Sequence, residues 1–153
     1  MPVTIYFLHV LLAFTTIAFL IVPGIMLEMV AHTRDVALIR RMFALGSFHG
    51  RIGGPLAFVT AIVGFIVAWQ VGIPLNAGWL SAAYAVFVVV VALGIGYHSR
   101  RELRIAALAQ ASPVDAPSPE LAAAIDDRMA TPLSWLSAVL WAVIIWLMVA
   151  KPF

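Results

Sequence analysis

The stretch Gly46-Ser47-Phe48-His49-Gly50-Arg51-Ile52-Gly53-Gly54-Pro55 decides how the chain is read. It joins a basic amphipathic segment to a long apolar one. Gly46, Gly50 and Gly54 recur every fourth residue, so in a helix they share one stripe and permit close helix packing. His49 and Arg51 stand beside that stripe, where the chain passes from membrane surface to membrane interior.

Upstream, Thr4 to Leu27 is almost purely apolar and exceeds the roughly 20 residues that cross a bilayer as a helix. His9 and Thr15-Thr16 interrupt it, and Pro23-Gly24 predicts a loosened last turn. Thr33-Arg34-Asp35 is a helix start, with Thr33 or Asp35 as cap. From Val36 to Arg51, Leu38, Ile39, Met42, Phe43 and Leu45 fall on one side, and Arg40, Ala44, Ser47 and Arg51 on another. This predicts an amphipathic interfacial helix over 36–51, lying on anionic lipid. Gly53-Gly54-Pro55 is either a joint, with proline in the first turn of a new helix, or a kink in one continuous helix.

Downstream, the second span ends near Val71 and carries a small-residue face at Ala57, Ala61, Gly64 and Ala68. An uncharged turn from Gly72 to Gly78 comes next, flanked by Trp69 and Trp79 as membrane-surface anchors. Trp79 to His98 is the third span, and its helix is expected to continue to about Gln110. Ser112 to Pro119 holds three prolines and reads as a surface loop. Ser118-Pro119-Glu120 starts a short polar helix, by serine cap and proline at the first position, that runs to about Met129. The fourth span reaches Ala150. The spans are thus about 4–27, 53–71, 79–98 and 132–150, with a polar connection over 99–131.

Composition agrees. Of 153 residues, 64% are hydrophobic and 10% charged, against about 25% charged in soluble domains. Mean hydropathy is +1.07. The net charge of +2 does not indicate nucleic acid, because the basic residues flank apolar segments as topology signals do. Cysteine is absent, which excludes disulfides, thiolate metal sites and a cysteine nucleophile. Arg34, Arg40, Arg41 and Arg51 come after the first span, and Arg100, Arg101, Arg104 and Arg128 after the third. Only Lys151 lies at the other side, so eight of nine basic residues share one side. The expected fold is all-α: a single transmembrane domain, an antiparallel four-helix bundle with both termini outside and both polar connections cytoplasmic.

Ionisable groups near membrane interiors are costly and few, so each is a candidate. His9 lies in the outer half of the first span. Glu28, His32, His49, Arg51 and His98 gather where the spans meet the cytoplasm. At 1.5 Å of rise per residue, a hairpin centred near residue 75 sets His98 opposite about Ile52, within a turn of His49 in depth. Gly50, Gly94 and Gly96 stand near this pair, and glycine lets a flat group approach the backbone. One reading is a b-type haem or a quinone held by His9 or by His49 and His98. The plainer reading is histidines as interfacial polar groups or interhelical hydrogen-bonders. No span carries Asp, Glu, Lys or Arg in its middle, which argues against an ion-coupled transporter.

Several motifs in order resemble a family of predicted bacterial integral membrane proteins, the domain of unknown function 2269 family. They are Leu8-His9-Val10, Thr33-Arg34-Asp35-Val36-Ala37-Leu38-Ile39, Gly54-Pro55-Leu56, Gly78-Trp79-Leu80 and Leu147-Met148-Val149-Ala150-Lys151-Pro152. The resemblance covers nearly the whole chain and implies a multi-pass protein of the bacterial inner membrane, with no activity attached. A more distant similarity is to the HemJ-like protoporphyrinogen oxidases. There a histidine of the first span and a lysine near the start of the third serve haem. His9 matches the histidine; the third span opens Gly78-Trp79-Leu80-Ser81-Ala82-Ala83-Tyr84, with alanine where the lysine would stand. The expected function is a structural or accessory membrane component, in a homo-oligomer or larger complex. The alternative is a haem b- or quinone-binding redox protein.

Overall fold

Only Thr33-Arg34-Asp35 separates the first helix, α1 (Pro2–His32), from the second, α2 (Val36–Gln70), in the computed structural model of the chain. The turn works because Arg34 adopts a left-handed backbone, φ 59°, and its guanidinium reaches across the molecule to both oxygens of Asp126, at 2.8 and 2.9 Å. Asp35 is the cap: its side chain accepts from the Leu38 amide at 2.9 Å, satisfying one orphan N–H of the first turn. The structure describes residues 2–152, without the side chains of Pro2 and Ser47. The expected place of Ser47 on the polar face therefore lies outside the described residues.

After the 71–77 turn come α3 (Gly78–Leu93), a π-helical turn (Gly94–His98) and α4 (Ser99–Ala111), which run as one uninterrupted rod. The last two helices are α5 (Pro119–Ile125) and α6 (Ala130–Ala150). Ser118 caps α5 by accepting from the Leu121 amide, with Pro119 at the first position, as the sequence indicates. Four helical stretches are long and apolar enough to cross a membrane. Among the described residues there is no strand.

α2 passes through Gly53-Gly54-Pro55 without a break, so the continuous reading holds and the joint does not. The lost Pro55 N–H is tolerated because the rest of the helix is held along α1. Three glycines of α2 receive side chains of α1: Gly46 meets Leu27, Gly53 meets Leu20, and Gly64 meets His9. The partners fall in number on α1 as they rise on α2, so the two helices run in opposite directions. Gly50 and Gly54 face open space. The seam is therefore Gly46, Gly53 and Gly64, and not the expected stripe of every fourth residue. The contact lies where both helices present a partner, which one helix's spacing cannot disclose.

The apolar face of the 36–43 segment packs on protein. Val36, Ile39 and Phe43 are buried with Leu27 and Ala31 of α1, Ile105 and Ala109 of α4, and Leu121 and Ile125 of α5. Several of these are wholly buried. Arg40, read from the sequence as a surface cation, donates its Nε to the Ala109 carbonyl at 2.8 Å and also reaches the Gln110 and Ser112 carbonyls. It thereby caps the C-terminus of α4, where carbonyls lack helical partners and the dipole favours a cation. Among the described residues the larger of the two buried clusters is this cap at the basic end.

Within the spans the packing is pairwise. α1 lies along α2, and α3 along α6. Trp79, Leu80 and Ala83 of α3 pack on Leu147 of α6 and on Ala68 of α2. Lys151 at the end of α6 stands 5.7 Å over the Trp79 ring. α2 and α3, neighbours in sequence, do not pack closely along their length as the expected hairpin would; Phe58 and Phe87 meet edge to face between them, centroids 6.1 Å apart.

Candidate functional site

Because the two helix pairs touch sparingly, a cleft of about 250 Å³ remains between them. It lies toward the end opposite the basic cap. The small face foreseen on α2 forms one wall, through Ala57, Ala61, Gly64 and Ala68; α3 and α6 supply Leu80, Tyr84 and Trp141. The lining is overwhelmingly apolar, with a few polar atoms, the usual make-up of a small-molecule site.

His9 and Tyr84 both line this cleft. The His9 ring is seated on Gly64: its Cε1 stands 2.6 Å from where a Cβ on that residue would lie. His9 Nδ1 and Tyr84 Oη are both buried without a partner at good hydrogen-bond geometry, and the His9 ring also approaches the Thr60 backbone. Unsatisfied buried polar atoms are rare, and each one needs an explanation. Among the other polar groups of the cleft, the two threonines are already engaged. Thr16 and Thr60 share a hydrogen bond of 2.7 Å, and Thr60 also donates to the Leu56 carbonyl. The position of Tyr84 was not singled out from the sequence; a tyrosine one turn inside a span, among Ala and Val, is the signal that could have marked it.

His49 and His98 have different neighbours. His49 is buried, and its Nε2 faces Glu102 of α4 at 3.7 Å, beyond hydrogen-bond range. His98 bonds the Ser137 hydroxyl of α6 at 3.0 Å. His49 thus faces the third rod one turn beyond His98, in the depth register expected from helical rise, while α3 itself packs chiefly on α6. The π turn at Gly94–His98, where the Ser99 amide reaches back to the Gly94 carbonyl, also rotates α4 relative to α3 by inserting an extra residue into the turn. Neither Gly94 nor Gly96 has a neighbour within 4 Å of a Cβ position. Each of the three histidines thus has its own environment, and no group of three metal-ligating side chains occurs among the described residues.

At the basic end, Arg101 joins the pairs. Its guanidinium bonds both oxygens of Glu28 on α1 and, at 3.0 Å, the Ile125 carbonyl. Tyr97 donates to Asp127 at 2.9 Å. Glu28, expected near His32, does bond it, at 3.1 Å. Glu102 lies a turn past the third apolar span. Burial pushes its carboxyl up to about 7, with Arg101 opposing and Glu28 adding to the shift.

Fold and site together define a helical integral membrane protein with four candidate spans, an apolar internal cleft and an ion-paired cap. The chain belongs to the family described as predicted integral membrane protein (DUF2269), which matches residues 3–152. Comparison with curated proteins and with solved structures gave no match.

Proposed function

We propose that this chain is an accessory membrane protein that holds a bilayer-soluble molecule with a carbonyl or hydroxyl head, of the isoprenoid-quinone class. The observation that carries this is the pairing of two orphaned polar atoms, His9 Nδ1 and Tyr84 Oη, on one apolar cleft. A tyrosine O–H donates to a carbonyl; a neutral imidazole nitrogen donates or accepts according to its tautomer. The apolar walls would take the ring and the first isoprenoid unit, and the tail would leave between the helix pairs into lipid. Haem is less well supported than a quinone. The cleft offers one imidazole, since neither His49 nor His98 lines it.

The distribution of basic residues supports an inner-membrane orientation with the cap in the cytoplasm and the cleft in the outer half.

The test uses the purified full chain in detergent and decylubiquinone as probe. Trp79 and Trp141 line the cleft and report occupancy by fluorescence quenching. A saturable component is expected. It should weaken roughly five- to tenfold in Tyr84→Phe, the value of one lost hydrogen bond of about 1–1.5 kcal/mol. His9→Gln should weaken it comparably. Quenching that never saturates, or that both variants leave unchanged, refutes the reading.

A further inference from the structure

A second cavity, of about 390 Å³, opens beside the π turn. One wall is a single face of the third helical rod, carrying Tyr97, Arg100, Arg101 and Arg104. The other is the small, apolar Ala123-Ala124 edge of α5, with Asp127 beyond it. Three guanidiniums and one carboxylate therefore share the space.

The existing bonds show which charges are spent. Asp127 accepts from the Tyr97 hydroxyl and from the Met129 amide. Arg101 is committed through both terminal nitrogens to Glu28 and Ile125. Its Nε is nevertheless buried without an acceptor; the side chain as a whole is only 11% exposed. Arg100 and Arg104, one helical turn apart, have no acceptor for their guanidiniums among the described residues. Two cations without a hydrogen-bonded acceptor, Arg104 also within Coulombic reach of Asp127, thus line one cavity together with Arg101, whose Nε is an orphaned donor.

Depth identifies the level. About 20 residues from Trp79 bring the third helix through the hydrocarbon to the residues just before Arg100, so the cavity sits among headgroups. Planar guanidiniums match phosphate oxygens through paired hydrogen bonds. We infer that this cavity is a phosphate-binding site, formed by Arg100, Arg104 and the Arg101 Nε, that takes the phosphodiester of an anionic lipid or a soluble phosphate. It is independent of the cleft at His9 and Tyr84.

Native mass spectrometry of the full chain released from detergent provides the test. Dioleoyl phosphatidylglycerol and dioleoyl phosphatidylcholine are the lipid probes, with inorganic phosphate as soluble competitor. The wild type is expected to retain one phosphatidylglycerol over phosphatidylcholine by about tenfold, the order expected for two arginines at an anionic headgroup. Arg100→Gln/Arg104→Gln should abolish that preference, whereas Arg41→Gln, an exposed arginine of α2 away from the cavity, should keep it. Arg100 and Arg104 are exposed, so helicity by circular dichroism should be unchanged. Displacement of the lipid by millimolar phosphate would support the site and name the soluble source; resistance to it would name the lipid. Equal retention of the two lipids, or equal loss in the double variant and Arg41→Gln, overturns the inference.

Discussion

His9 rests on Gly64, with its imidazole Cε1 2.6 Å from the point where any Cβ at position 64 would stand. A residue of the cleft is thus fixed by the helix seam. The same holds for Leu20 on Gly53, at 2.5 Å, and for Leu27 on Gly46, at 2.7 Å. Alanine at position 64 must displace the ring of His9, which has only two side-chain torsions with which to yield.

Glycine substitutions along α2 should therefore split into two groups. Gly64→Ala and Gly53→Ala are expected to cost about 1–3 kcal/mol by overpacking. Gly50→Ala and Gly54→Ala, which meet nothing within 4 Å, should be neutral or stabilising by up to about 1 kcal/mol through helix propensity. Thermal unfolding of the four variants in one detergent checks the order. Equal losses at Gly50 and Gly64 would contradict the seam.

The two ion pairs at the cap should differ in weight. Arg101→Gln leaves Glu28 with His32 alone and the carbonyl of buried Ile125 without its guanidinium, at a cost of about 2–4 kcal/mol. Asp126→Asn loosens a pair that is half-exposed on both sides and should cost less than about 1 kcal/mol. Denaturant titration of both variants against the parent decides.

Glu102 should make stability depend on pH. Its folded carboxyl titrates at about 7 against an ordinary 4.5. The protonated form is favoured in the folded state, so its contribution is complete below about 4.5 and fades as pH rises through 7. Glu28, Arg101 and His49 surround it, so the comparison must be with Glu102→Gln, which keeps the shape and removes the titration. Between pH 5 and 8 the parent is expected to lose on the order of 1–2 kcal/mol relative to the variant, allowing for partial exposure. Parallel curves would show that Glu102 ionises as in water.

The proposed orientation is directly testable because the chain has no cysteine. Asn76→Cys lies in the turn after α2 and Asp115→Cys in the loop before α5; both positions are exposed. In intact cells a membrane-impermeant maleimide should label position 76 and not position 115, and label both after permeabilisation. The inverse pattern would reverse the orientation.

Much of the helical layout was legible because it depends on local signals: apolar runs of spanning length, the Asp35 and Ser118 caps, the proline-rich 112–118 connection. The features that were not legible depend on partners remote in sequence. The apolar side of 36–43 is equally consistent with lipid and with protein; Ile105, Leu121 and Ile125 settle it for protein. Arg40 could not be known as a helix cap without α4 beside it. The depth register of His49 follows from helical rise, since it faces Glu102, one turn past His98; that α2 packs chiefly on α1 and α3 on α6 does not follow from it. His9 was visible as an unusual residue, but its relation to Tyr84 required the fold.

The spacing of the α1–α2 contacts has a geometric consequence. From Gly46 to Gly53 is seven residues, and from Gly53 to Gly64 eleven; on α1 the steps from Leu27 to Leu20 to His9 are the same seven and eleven. Seven residues in two turns bias a helix pair toward left-handed coiling, and eleven in three turns toward right-handed coiling. Together they make eighteen residues in five turns, the 3.6 of an unstrained helix. The two biases cancel over about 27 Å, nearly the thickness of the hydrocarbon core. Over this length the contact spacing carries no net bias toward supercoiling in either hand. A second pair that is not drawn into a common supercoil touches the first over a narrower strip, and the cleft lies beside that strip.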